Sequence, residues 1–180
     1  NMTVVVPADG IETEKVILEA AKYNGPMYVR LGRSAVPTIF DENYKFQIGK
    51  GNVVREGNDV SIIACGIMVN EAILAHEALK SEGINVRVIN MSTIKPIDRE
   101  LIINAAKETG AIVTAEEHSI IGGLGSAVSE VVSEECPVVV KKVGVKDTFG
   151  ESGTPAELLK KDGLTAEDIV NSVKEAISKK

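Results

Sequence analysis

Tryptophan is missing from this chain of 180 residues, and aromatic residues together make up only 3% of it. So few rings exclude an aromatic ligand cage and a platform for stacking nucleic-acid bases. Histidine and cysteine are nearly as scarce, with two of each. Cys65 and Cys136 sit in or beside apolar, strand-like runs, with no His or Cys at ligand spacing. That excludes a disulfide framework and leaves no metal-ligating residues to name; two small buried hydrophobes of a reduced, cytoplasmic protein are expected instead. Neither histidine falls in a hydrolase nucleophile motif, so no catalytic residue is assigned. No apolar run approaches the ~18 residues a membrane span needs, and no secretory leader pattern is visible. Basic residues are outnumbered, 20 against 26 acidic ones. The net charge of -6 argues against nucleic acid and anionic membranes as partners.

What the chain does have is alternation. Thr3 to Val6 is β-branched and stops at Pro7. Asp9 then caps a helix, Glu12 completes a capping-box-like pair, and Val16, Ile17 and Ala20 form the apolar face. Met27 to Leu31 reads as a strand. Ser34 to Lys50 has no periodicity and contains Pro37, so it reads as a linker. Beyond it come a strand at Asp59 to Cys65 and a helix from about Met68 to Ser81, which buries Val69, Ala72, Ile73, His76 and Leu79. A strand at Ile84 to Ile89 follows, then a helix capped by Asp98 with Leu101, Ile102 and Ala105 inside. After an apolar run at Ile112 and a strand at Val138 to Val143, Thr165 caps a last helix with Ile169, Val170, Val173 and Ile177 inward. Strands joined by helices run parallel through right-handed crossovers. The fold class is therefore α/β, a doubly wound, mostly parallel sheet with helices on both faces.

The opening strand–helix–strand cannot close a core by itself; ~40 residues is near the limit for unaided folding. Residues 1–45 are expected to be the tail of one domain plus a linker, and 46–180 a complete second domain. Asn1 in place of an initiator Met fits a fragment.

The stretch from Ile112 to Val128 carries the densest chemistry. An apolar strand ends in Glu116, Glu117 and His118, and Gly122, Gly123 and Gly125 introduce a helix. Open α/β sheets place binding sites at such carboxyl ends. Glycines before a helix also suit a phosphate. Two adjacent carboxylates oppose that, and the spacing matches neither the dinucleotide fingerprint nor the P-loop. A tight turn with close helix–sheet packing is the simpler account. Glu116, Glu117 and His118 remain candidates for a subunit or cofactor-domain interface, because such groups are expensive to bury unpaired. His76, among apolar helix positions, is expected to be a satisfied, partly buried histidine.

Three separated motifs point to one family. The first is Pro7-Ala8-Asp9-Gly10-Ile11-Glu12, followed by Gly25-Pro26-Met27-Tyr28-Val29-Arg30-Leu31-Gly32-Arg33. The second is Thr93-Ile94-Lys95-Pro96-Ile97-Asp98, followed by Glu116-Glu117-His118 through Gly125. The third is Asp147-Thr148-Phe149-Gly150-Glu151-Ser152-Gly153, followed by Gly163-Leu164-Thr165. In order and spacing they resemble the carboxyl-terminal part of transketolase, over essentially the whole chain. The resemblance implies the end of the pyrimidine-binding domain plus the transketolase C-terminal domain. In the full enzyme, thiamine diphosphate and Mg would be held elsewhere, so none of this chain's residues is assigned to cofactor or metal. Arg33 matches the arginine that binds the substrate's phosphate, a task suited to a permanently charged, bidentate guanidinium. Arg30 should point to the opposite face of the strand.

The implied function is a segment of an enzyme that transfers a two-carbon ketol unit between sugar phosphates. Its partners would be an N-terminal transketolase part or subunit, a second copy in a homodimer, and a sugar-phosphate substrate. The isolated chain should be inactive. The equivalent segment of 1-deoxyxylulose-5-phosphate synthase or of a 2-oxoacid dehydrogenase β subunit fits the same motifs. A non-catalytic module for association or regulation remains the reading from another class.

Overall fold

Apolar runs and helical faces alternate along the chain, and the computed structural model, which describes residues 1–180, turns each of them into an element. In order these are β1 (Thr3–Val5), α1 (Gly10–Ala20), β2 (Met27–Val29), β3 (Asn52–Arg55), β4 (Val60–Ala64) and α2 (Met68–Ser81). They continue with β5 (Val86–Asn90), β6 (Thr93–Lys95), α3 (Arg99–Thr109), β7 (Ala111–Ser119), α4 (Leu124–Glu135), β8 (Val139–Val145), α5 (Pro155–Lys161) and α6 (Ala166–Ser178). No helix is long and apolar enough to cross a membrane.

Five strands form the main sheet in the order β3-β5-β4-β7-β8. The pairs β4–β5, β4–β7 and β7–β8 are parallel, and only β3 runs antiparallel at the edge. Strand β4 is buried along its whole length, as a central parallel strand covered on both faces must be. Its side chains alternate. Val60, Ile62 and Ala64 join the core beneath α2 and α6, while Ile63 joins the core beneath α3 and α4. Burying each of these isoleucines stabilises the fold by roughly 1.5–3 kcal/mol.

The chain leaves β4 through α2 to β5 on one side, then returns past α3 to β7 on the other side of β4. Strand order therefore reverses at β4, which opens a crevice at the carboxyl ends of β4 and β7. Residues from the chain's beginning sit in it. The Val6 amide donates to the Ser92 carbonyl at 2.7 Å, and the Gly66 amide donates to the Val6 carbonyl at 3.2 Å. Val6 packs with Ile63, Cys65 and Met91. A second, three-stranded sheet in the order β2-β1-β6 extends from this point. Strand β2 is parallel to β1 and forms its outer edge, while β6 is antiparallel.

Several sequence expectations need correction. Strands β3 and β6 are absent from the sequence expectations. The two strands are only four and three residues long, too short for an alternation to register. Helix α5 buries no side chain, and its Thr154–Glu157 capping box and Pro155 at the first turn mark its start. Ile17 and Ile177 were expected to face inward and are 46% and 37% exposed. In α6 the inward position falls to Ala176 instead.

Glu12 also behaves differently from a capping-box acid. Asp9 does cap α1, accepting from the Glu12 amide at 2.8 Å. The Glu12 side chain, however, turns to the Ala8 amide at 2.7 Å, the Tyr44 hydroxyl at 2.6 Å and the Asn90 side-chain amide at 2.8 Å. It is fully buried, and that burial raises its pKa above the ordinary 4.5. Helix α1, the segment after β2 and strand β5 thus meet on one carboxylate. Residues 34–50, read as a linker, are tied down at several points. Ile39 and Phe40 pack on the main core, Phe40 stacks on Tyr44, and the Gly51 amide reaches Asp98 just beyond.

Gly57 lies where the turn before β4 touches β5. A Cβ there would overlap the Val86 carbonyl group, which is backbone and cannot swing away. We expect Gly57→Ala to lose about 1–3 kcal/mol of unfolding free energy, read as a lower urea midpoint at unchanged slope. An unchanged midpoint would mean that the turn has room the structure does not show.

Candidate functional site

The glycine loop is built around a buried carboxylate. Glu116, near the end of β7, is 2% exposed. Its Oε2 accepts from the Leu124 amide at 2.7 Å and its Oε1 from the Gly125 amide at 2.8 Å. These are free amides of the first turn of α4, at the positive end of the helix. A phosphate approaching this loop would need the same donors, and Glu116 already holds them. Gly123 is required by the arrangement, since a Cβ there would overlap the Glu116 carboxylate. At Gly125 a Cβ would lie 2.8 Å from Thr114 Oγ1, so the helix also packs tightly on the strand. The packing account of these glycines therefore holds.

Burial raises the pKa of Glu116, opposed by the Gly125 and Leu124 amides and by the nearby His118 and Lys142 charges. All three members of the trio border one cleft, which Gly122, Gly123 and Leu124 of the loop also line. Glu117 lines this cleft, about 590 Å³ between the small sheet, the end of β7 and helix α4, and forms an ion pair with Arg30 at 3.3 Å. Both side chains are about one-third exposed, so the pair contributes roughly 1 kcal/mol or less. His118 is exposed, with Nδ1 3.1 Å from the Ser119 carbonyl. The cleft is walled by Val4, Tyr28, Ile94 and Val131 and lies over the strand-order reversal.

The other sequence candidates are placed as follows. Arg33 is exposed, lies beyond the end of β2 and has no hydrogen-bond or ion-pair partner. A second hollow, about 380 Å³, is lined by Asp9 and Gly10 and by Leu31, Gly32 and Ser34, the sequence neighbours of Arg33. Arg30 lines the larger cleft, so the two arginines serve different surfaces. His76 is buried and satisfied, with Nδ1 2.8 Å from the Val86 carbonyl. Burial pushes the Cys65 thiol far above its usual pKa. No three His, Cys, Asp or Glu residues converge closely enough to hold a metal ion. No local signal marks the Arg30–Glu117 pair, 87 positions apart, or a tether formed by Asp9. Its Oδ2 accepts from the Ile39 amide at 2.7 Å and from the Phe40 amide at 2.9 Å. A capping aspartate is visible in sequence; what its second oxygen reaches is not.

A test of the Glu116 seat follows from its pKa. Folded Glu116 keeps its proton to higher pH than the ordinary value of 4.5. Its contribution is therefore full below about 4.5 and declines as pH rises through the folded value. Glu116→Gln cannot ionise and sets an amide NH2 against one helix amide, at a cost of about 1–3 kcal/mol. The melting-temperature gap between wild type and variant should be widest near pH 4.5 and narrow toward neutrality. A gap that widens toward neutrality would contradict this assignment.

Comparison with known proteins places the whole. The family model of the transketolase C-terminal domain matches residues 49–169. The 6-deoxy-6-sulfo-D-fructose transketolase subunit SqwH of Clostridium sp. (strain MSTE9) is 46% identical, aligned over 100% of this chain and 56% of that protein. Rat (Rattus norvegicus) transketolase is 42% identical over 98% of this chain and 29% of its own length. A solved structure described as a split gene transketolase, inactive β4 tetramer, superposes with a TM-score of 0.98 at 55% identity, covering 100% of this chain and 59% of that one. The chain thus spans little more than half the length of the subunit-type relatives and less than a third of the rat enzyme. With its α/β architecture and its glycine loop sealed by Glu116, this chain belongs to the transketolase family.

Proposed function

We propose that this chain is the C-terminal part of a transketolase assembled from two parts, and that it contributes the anion contact for the substrate and part of the subunit interface. The observation that carries this is similarity, over the whole of this chain and somewhat more than half of theirs, to a protein described as a transketolase subunit and to one described as a split gene transketolase. The complete enzyme would move a two-carbon ketol unit between sugar phosphates. Thiamine diphosphate, bound with Mg in the other part, would supply the carbanion stabilisation. In this chain Glu116 already accepts from the first amides of α4, which supports assigning the cofactor's diphosphate to the other part. In this reading residues 1–45 complete the pyrimidine-binding domain and 46–180 form the C-terminal domain. The family match beginning at residue 49 supports that division.

Arg33 is the substrate contact in this proposal. It is exposed, unpaired and beside the smaller hollow, so its guanidinium is available for a terminal oxyanion. The fork suits phosphate, and it suits the sulfonate implied by the name of the Clostridium relative. A partner surface is also available. Six large apolar side chains in the first 31 residues are exposed: Met2, Ile17, Leu18, Tyr23, Tyr28 and Leu31. Exposed apolar side chains concentrated in one segment of the chain suit a partner contact better than singly scattered ones do.

Two measurements test this. Mixed with its N-terminal counterpart, thiamine diphosphate and magnesium, the chain should show ketol transfer, and Arg33→Ala should raise KM for sugar phosphate ten- to a hundredfold at similar kcat. That corresponds to losing a charged hydrogen bond worth about 1.5–3 kcal/mol; an unchanged KM rejects the assignment. Running the series with a sulfonated sugar identifies the preferred anion. Leu18→Glu, on the exposed face of α1, should weaken association with the counterpart about tenfold or more, while shifting the isolated chain's melting temperature little. Equal affinity would place the interface elsewhere.

A further inference from the structure

Arg33 sits in a segment with unusual support. From Leu31 to Thr38 no backbone or side-chain group makes a hydrogen bond, and every residue but Val36 is exposed. The loop is held only at its ends. At the start, the Arg30 amide donates to the Val5 carbonyl at 2.9 Å, continuing the β1–β2 ladder. At the finish, the Ile39 and Phe40 amides both donate to Asp9 Oδ2, at 2.7 and 2.9 Å. The other oxygen of the same carboxylate caps α1 through the Glu12 amide. Asp9 is 2% exposed, so these contacts are shielded from competing water. Immediately beyond, Phe40 stacks on Tyr44, whose hydroxyl donates to Glu12.

From this we propose that Asp9 is a positioning residue for Arg33: its carboxylate fixes the far end of the loop and so sets where the guanidinium can reach. The inference rests on the reading of Arg33 as the substrate-anion contact. An eight-residue segment with no internal bonds takes its shape from the separation and direction of its two ends. One end is fixed by a strand, which cannot shift without breaking the ladder. The other is held by the packing of Ile39 and Phe40 on the main core and by one buried oxygen, the only acceptor for both amides, which makes Asp9 the sensitive point for its direction. Its location before the loop in sequence hides the role, because a helix cap explains the residue fully on local grounds.

The test separates capping from tethering. Asparagine and serine are both good N-caps, so Asp9→Asn and Asp9→Ser keep α1 started. Asparagine with its oxygen on the cap turns an NH2 toward the Ile39 and Phe40 amides, and serine is too short to reach them. In the assembled enzyme, both variants should speed amide hydrogen exchange at Ile39 and Phe40 at least tenfold. Both should raise KM for the sugar phosphate several-fold at near-constant kcat. In each double variant with Arg33→Ala, KM should be no higher than with Arg33→Ala alone, since a missing guanidinium cannot be misplaced. Unchanged exchange, or faster exchange with unchanged KM while Arg33→Ala still raises it, overturns the positioning role and leaves the Arg33 contact intact. An Arg33→Ala variant with wild-type KM overturns both. Additive KM effects in the double variants would show that Asp9 acts on substrate by another route.

Discussion

The constraint on which the rest of this structure depends is the reversal of strand order at β4. A parallel sheet wound in both directions from one strand leaves a crevice where the two directions part, and many α/β proteins use that opening for a ligand. Here Val6 and its neighbours are seated in it, bonded to Ser92 and Gly66 and packed on Ile63 and Met91. The small sheet, the segment after it and the larger cleft all take their positions from that seat. The main domain thus uses its most distinctive concavity to hold another part of the same chain, and the open space that remains lies between the small sheet, the end of β7 and helix α4.

Carboxylates near helix starts do the local fixing. Glu116 holds two amides of α4, Asp9 holds one of α1 and two of the loop's end, and Asp98 holds one of α3 together with the Gly51 amide. Each answers the unsatisfied donors of a helix N-terminus with an internal acid. Asp9 and Asp98 also use an oxygen to fasten a segment distant in sequence. Glu12 extends the pattern without touching its own helix's free amides, joining three segments on one buried group.

Sequence reading recovered the parallel core, because Val60, Ile62 and Ile63 and the faces of α2, α3, α4 and α6 are long enough for periodicity to show. It also placed the caps at Asp9, Asp98 and Thr165, whose local chemistry is self-contained. It missed β3 and β6, since a strand of three or four residues is defined by the neighbour it pairs with. It placed Ile17 and Ile177 inside because periodicity tells which residues share a face, without telling how wide the covered stripe is. The site divided the same way. That the glycines near 122 serve packing was legible from the adjacent acids, but which of Glu116 and Glu117 turns inward was not, since alternation alone gives both phases equal standing. The tether from Asp9 to residues 30 positions later leaves no mark in local sequence at all.

The seat of Glu116 has an evolutionary consequence. Its carboxylate occupies the space that any side chain at position 123 would need, so the two positions do not vary freely. A larger residue at 123 is compatible only with a shorter one at 116, and shortening 116 first leaves two helix amides without an acceptor. Either order passes through a disfavoured intermediate. The pair should therefore be inherited as a unit, and the glycine persists through selection on its neighbour's charge.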